Sequence, residues 1–179
     1  MATPYDHVPA PEPPDSPDAW YAPDVRSQAT VYPGVVATVH ETDTGFAYEM
    51  REPVLGERAE RALSRVRDHF DRESRRRPLT REGTRERAAA GFAPKYRRAL
   101  DRLLSVSSTA RRRVNYHALA DLRLLGEVTP LALDERIDVV DLGREADDRV
   151  VVHTADYAPC RTDFSAETEH VDRVAGERL

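Results

Sequence analysis

Only one of the 27 basic residues in this 179-residue chain is a lysine, and it lies in no glycine-rich loop. A phosphate-cradling P-loop needs GxxxxGK followed by Ser or Thr, because its lysine reaches the β- and γ-phosphates. Lys95 instead follows Ala93-Pro94, and the eight glycines never fall into GxGxxG. The chain carries no recognisable nucleotide-hydrolysing apparatus, and it is expected to be no enzyme on its own. A single cysteine, Cys160, excludes an internal disulfide framework and a cysteine-based zinc site. Buried packing is its expected role. No apolar run approaches the roughly 18 residues of a membrane-spanning helix. The acidic, Pro-rich N-terminus has no signal-peptide pattern. These absences fit a protein of the cytoplasm, free or peripheral to a membrane.

Metal and nucleophile chemistry are equally thin. None of the six histidines pairs with another at metal-ligand spacing. His117 and Asp121 stand four apart on an expected helix and could share a ligand, although a hydrogen-bonded or solvated pair is the plainer reading. No GxSxG elbow marks a serine nucleophile. No catalytic residue, metal or cofactor is assigned.

What is present is charge, unevenly placed. Acidic residues number 32 and the net charge is −5. Arginine supplies 26 of the 27 basic residues, the look of a GC-rich, halophilic source. Residues 51–113 hold 19 Lys+Arg against 9 Asp+Glu, a net of +10, while the rest of the chain nets −15. Solvated helix faces with i,i+4 pairs explain such a layout, and so does an anionic partner. Two runs stand out, Arg75-Arg76-Arg77 and Arg111-Arg112-Arg113. Three arginines at a helix C-terminus suit the macrodipole, but at a helix start they oppose it. Arg111–Arg113 therefore need a partner, either acids of the same chain or an acidic protein or phosphate.

Residues 1–19 are read as a disordered acidic tail, because they cannot bury enough surface to offset ordering entropy. Residues 20–179 form one domain. Val35–Val39 and FAYEM, joined by TDTG, read as a β-hairpin. Leu55, Ala59, Ala62, Leu63, Val66 and Phe70 form one helical stripe. A second helical region covers about Arg85 to Leu104, restarted at Pro94. A third runs from about Ala110 to Leu125, capped from SVSST and stopped by Gly126. Pro130 fixes a turn. IDVVDL and RVVVHT then read as strands around GREADD, CRTDF as a third, and Ser165 as the cap of a terminal helix. The expected fold is α+β: an N-terminal β-hairpin, a central three-helix bundle over about 55–126, and a small C-terminal antiparallel sheet with a terminal helix over about 127–179.

The order of these pieces resembles the N-terminal domain of archaeal type II/IV secretion-system ATPases, the motors of archaeal pili and archaella. Tyr48, Glu52, Pro53, Leu55, Tyr116, Asp121, Gly126, Pro130, Leu131, Asp134, Ile137, Asp138, Val151, His153, Tyr157 and Thr162 carry the likeness. It covers about Tyr21 to Leu179, and only the leading third of such a motor, whose Walker regions would lie beyond Leu179. The resemblance implies a non-catalytic interaction domain that docks on a secretion or pilus ATPase core or on its membrane platform. The alternatives are the leading part of a split motor and an Arg-rich nucleic-acid module. The module is disfavoured, because acids alternate with the arginines and the whole chain is acidic. The partner-binding candidates are Arg75, Arg76, Arg77, Arg111, Arg112 and Arg113.

Overall fold

The structure, a computed structural model, describes residues 24–70, 78, 80–141 and 149–165. The tail 1–19, the Arg75–Arg77 run, the GREADD segment and the helix expected after Ser165 lie outside the described residues.

Three strands open the chain: β1 (Val25–Tyr32), β2 (Val35–Thr42) and β3 (Gly45–Arg51). The expected hairpin is β2–β3, paired from Val36↔Arg51 to Thr42↔Gly45. β1 precedes it and pairs antiparallel with β2. Pro33 presets the turn between them, and Gly34 takes the positive φ of 83° that the second turn position requires. The alternation of half-buried and exposed positions along β1 is that of an edge strand.

Four longer helices follow: α1 (Glu57–Phe70), α2 (Arg81–Ala90), α3 (Pro94–Leu103) and α4 (Ser108–Arg123). Ala59, Ala62, Leu63, Val66 and Phe70, read as a stripe, are the buried face of α1. The second helical region, expected from about Arg85 with a restart at Pro94, is two separate helices beginning at Arg81, a correction to the three-helix bundle. Gly91 at φ 62° ends α2, and Pro94 occupies the first turn of α3, where its missing N–H has no intrahelical partner to lose. Thr80 caps α2 by accepting from the Gly83 N–H at 3.0 Å, and Ser107 caps α4 through the Ala110 N–H at 3.2 Å. Gly126, at φ 66°, opens a 3-10 turn over Gly126–Val128.

The turn expected at Pro130 is itself helical. α5 (Thr129–Leu133) is one turn long, with Pro130 at its start and all five residues buried. It separates two apolar cores. Leu133 belongs to the bundle core with Leu63, Val66, Leu104, Val114 and Leu122. Leu131 belongs to the sheet-side core with Ala37, Val39, Tyr48, Ile137, Val150 and Val152. Residues two apart on a helix point to nearly opposite sides, so a single turn serves both cores.

The chain closes with β4 (Ile137–Asp141), β5 (Arg149–Thr154) and β6 (Cys160–Ser165). They do not form a separate sheet. β6 pairs parallel with β3 through Phe46↔Cys160, Ala47↔Arg161 and Tyr48↔Thr162, giving one six-stranded sheet in the order β1-β2-β3-β6-β5-β4. The fold is mixed α and β, with five helices and this sheet among the described residues. A lone hairpin leaves the outer ladder of β3 unpaired, and β6 fills it. The helices form the long crossover that a parallel pair requires, a relation that no local pattern reveals. Cys160 is buried within this seam.

Candidate functional site

Among the described residues a cluster of buried and half-buried polar groups lies at the joint between sheet and helices. Asp134, the residue after α5, is 2% exposed. Its carboxylate accepts from the Tyr48 hydroxyl at 2.7 Å, from Arg136 through Nη2 at 2.7 Å and Nε at 3.0 Å, and from the Arg136 backbone N–H at 2.9 Å. Burial works to raise the Asp134 pKa, but the bonds from Arg136 and Tyr48 outweigh it and hold the carboxyl below the usual range. Tyr48 moves the other way, pushed far above its ordinary value by burial and then by the Asp134 charge. Arg136 also donates to Ser27 Oγ at 2.7 Å and reaches the Ala37 carbonyl at 3.4 Å, so it ties β1 and β2 to the same centre. From the bundle side, Arg81 at the start of α2 donates to the carbonyls of Asp134 and Ile137. Burial, followed by the neighbouring Arg85, lowers the Arg81 pKa.

A second clasp lies where β3 leads into α1. Consecutive acceptors of the loop after β3 meet one face of α4. Tyr116 donates to the Glu52 carboxylate, His117 Nε2 lies 2.7 Å from the Pro53 carbonyl, and Arg113 donates to the Val54 carbonyl at 2.9 Å. Residues 113, 116 and 117 share a helix face by their three- and four-residue spacing. The carbonyl can only accept, so His117 carries its proton on Nε2. The Tyr116 ring also stacks beside Tyr32 at the end of β1, 5.6 Å between centroids.

Burial raises the Glu52 pKa, and neither the Tyr116 bond nor His117 cancels it. A carboxyl whose folded pKa lies above its unfolded value takes up a proton more readily in the folded state. Its burial therefore weighs against stability as pH rises through the folded pKa, and acidification relieves it. Glu52→Gln keeps an acceptor for Tyr116 and removes the buried charge. Its melting temperature is expected to exceed that of the wild type at neutral pH, with the gap closing on acidification. Thermal melts across pH check this, and a lower melting point for the variant at neutral pH contradicts it.

The residues singled out from the sequence divide accordingly. Tyr48 and Asp134 meet, as do Glu52 and Tyr116, while Leu131, Ile137 and Pro130 are buried around them. His117 and Asp121 share no ligand: His117 serves Pro53, and Asp121 takes Arg67 Nε at 2.7 Å. Asp138 is exposed on β4, and His153, half-buried on β5, lies opposite Val139. Of the arginine runs, Arg111 reaches Asp101 at 2.7 Å and the Leu104 carbonyl at 2.8 Å. Arg113 serves Val54, and the Arg112 Nε is buried without a hydrogen bond. The acidic C-terminal part does not neutralise the run through any of these contacts. Arg81 and Arg136 were not singled out in the sequence. The Asp134-x-Arg136 spacing is a local signal that could have flagged Arg136. Arg81 stands 53 residues from Asp134 and gives no such signal.

No helix among the described residues is long and apolar enough to cross a membrane. Among them, no cluster of three or more His, Cys, Asp or Glu side chains is placed to hold a metal ion. Lys95 stands in the first turn of α3 with its ammonium 4.4 Å from the centroid of the Tyr96 ring. No protein-family model matches the chain, and no curated protein matches it significantly.

Proposed function

We propose that this chain is a non-catalytic assembly domain of the kind found at the N-terminus of archaeal type II/IV secretion-system ATPases, docking on a motor core or its membrane platform. The supporting observation is the convergence of the residues that carry the resemblance. Tyr48 and Asp134 lie 86 residues apart and Glu52 and Tyr116 64 apart, yet each pair meets in a clasp between sheet and helices, the first beside Leu131 and Ile137 of the sheet-side core. Their chemistry there is structural. Buried, hydrogen-bonded polar groups fix the orientation of two layers and leave the outer faces to partners. The basic helical half supports docking on an acidic protein surface, because several of its arginines rest on backbone carbonyls and keep their charge.

Two measurements test the reading. The purified chain should hydrolyse no ATP above background, and Lys95→Ala should change nothing. Size-exclusion chromatography with light scattering should show a complex when the chain is mixed with a secretion-ATPase core lacking its own N-terminal domain. Turnover by the chain alone, or failure to bind both that core and the platform protein in nanodiscs, overturns the proposal.

A further inference from the structure

His40, near the end of β2, lies between two carboxylates from the chain on either side of its own strand. Its Nδ1 is 3.3 Å from Asp24 Oδ2, just before β1, and its Nε2 is 3.1 Å from Glu49 Oε2 on β3. An ionised carboxylate only accepts, so each contact asks the ring for a proton. A neutral imidazole carries one N–H and turns a bare lone pair to the other acid, whereas the imidazolium donates to both. The arrangement is therefore complete only when His40 is charged. In that form the ring ties the leading end of β1 to β2 and β3.

The two sides are held unequally. Glu49 is also fixed by Arg51, whose Nε meets its Oε1 at 2.9 Å, and it is the less exposed acid, at 40% against 51% for Asp24. The backbone tie of Asp24 is its carbonyl, which accepts from the Glu41 N–H at 2.8 Å. The β1–β2 ladder shifts register between Val25 and Ser27, so strand pairing is weakest where Asp24 is attached. The neighbouring charges are Arg26 and Glu41, which pair with each other, with Arg26 also in the field of Asp24. Tyr157 approaches from the loop before β6 and donates to the Arg26 carbonyl at 3.3 Å.

We propose that His40 is a proton-operated latch on the leading end of β1, closed on Asp24 and Glu49 as the imidazolium and open on the Asp24 side as the neutral ring. Histidine is the side chain that ordinarily changes charge between pH 5 and 8, a range in which carboxylates and guanidiniums keep theirs. On losing a proton the ring keeps its Nε2–H for Glu49, the acid that Arg51 holds in place. The Nδ1 lone pair then faces the Asp24 carboxylate and repels it. Asp24 directly follows positions 1–23, so the proton sets how firmly that junction is held to the sheet. The inference goes beyond docking on a motor and does not depend on it.

Amide exchange of the full chain, read by NMR with the intrinsic chemical rate divided out, tests it. The reporter is the Glu41 N–H on the Asp24 carbonyl. Its protection is expected to fall about fivefold from pH 5.5 to pH 8, the effect of losing roughly one hydrogen bond. The Leu104 N–H, on the Leu100 carbonyl in the bundle, should keep its protection. At pH 8 the ring nitrogen signals should place the one His40 proton on Nε2. His40→Gln supplies an amide that does not titrate, so its Glu41 protection should be the same at both pH values. Asp24→Asn separates a latch from a passive contact. Its side-chain amide can donate to the bare Nδ1 of the neutral ring, so protection should persist at pH 8. Wild-type protection that does not change, an equal fall in His40→Gln, a fall in Asp24→Asn as large as in the wild type, or a proton on Nδ1 at pH 8 overturns the proposal.

Discussion

Asp134→Ala is expected to cost about 3 kcal/mol or more of stability, read as a fall in the urea midpoint at constant m value. The substitution removes few atoms, so lost packing is a minor part. The main cost is what stays behind: the Arg136 guanidinium loses two acceptor contacts, its backbone N–H a third, and the buried Tyr48 hydroxyl loses its acceptor. Arg136 keeps 27% side-chain exposure, so water reaches part of it and the cost sits at the lower end of the range for a broken buried pair. Removing the stranded charge as well should recover much of the loss, so Asp134→Ala with Arg136→Met is expected to be more stable than Asp134→Ala alone. A double variant worse than the single one would show that Arg136 contributes mainly through Ser27 and the Ala37 carbonyl. The pH dependence has a definite sign. The folded-state pKa of Asp134 is depressed, so its stabilisation is full above the unfolded carboxyl value of about 3.9 and is lost as pH falls through the folded pKa. Asp134→Asn should flatten that acid limb. Glu52 acts in the opposite sense, and Glu52→Gln should leave the limb in place.

The sequence made the elements legible far better than their assembly. The α1 stripe from Ala59 to Phe70, the cap at Ser107 and the β2–β3 hairpin all rest on residues within a few positions of one another, while the Thr80 cap, which starts α2 four residues before the expected Arg85, went unread. Local spacing encodes these relations directly. The parallel β3–β6 pairing joins Tyr48 to Thr162 across more than a hundred residues, and nothing local distinguishes it from two separate sheets. β1 was hidden by Arg26, Ser27 and Gln28, polar residues that an edge strand tolerates on its open side. α5 looked like a turn because five residues are too few to show a helical period. At the joint, the motif residues include both sides of the Tyr48–Asp134 and Glu52–Tyr116 contacts and neither of the arginines that hold Asp134. Tyr48 and Asp134 were both singled out, but their partners Arg136 and Arg81 are arginines in a chain that holds 26 of them, and composition gave no reason to prefer these two.

Leu131→Ala is expected to cost about 2–5 kcal/mol, and Ile137→Ala a similar amount, because both side chains are 1% exposed in the sheet-side core. The cost at Leu131 should fall toward the upper part of that range. α5 is a single turn, shorter than an isolated helix can sustain, so tertiary packing holds it rather than propensity. Leu131 anchors it to the sheet and Leu133 to the bundle, so a cavity at Leu131 loosens the element that joins the two cores. Asp134 follows directly, and its N–H bonds the Pro130 carbonyl at 3.1 Å, so Leu131→Ala and Asp134→Ala should not be additive. The control is the arginine run. Arg111→Gln, Arg112→Gln and Arg113→Gln together remove the exposed ion pair to Asp101 and bonds to two carbonyls, and should cost about 1 kcal/mol. Equilibrium unfolding of both proteins ranks the two effects. If the arginine variant unfolds as readily as Leu131→Ala, those side chains hold the bundle together and are not a surface kept for a partner. If Leu131→Ala costs under about 1 kcal/mol, the sheet-side core closes over the cavity and α5 is not the joint.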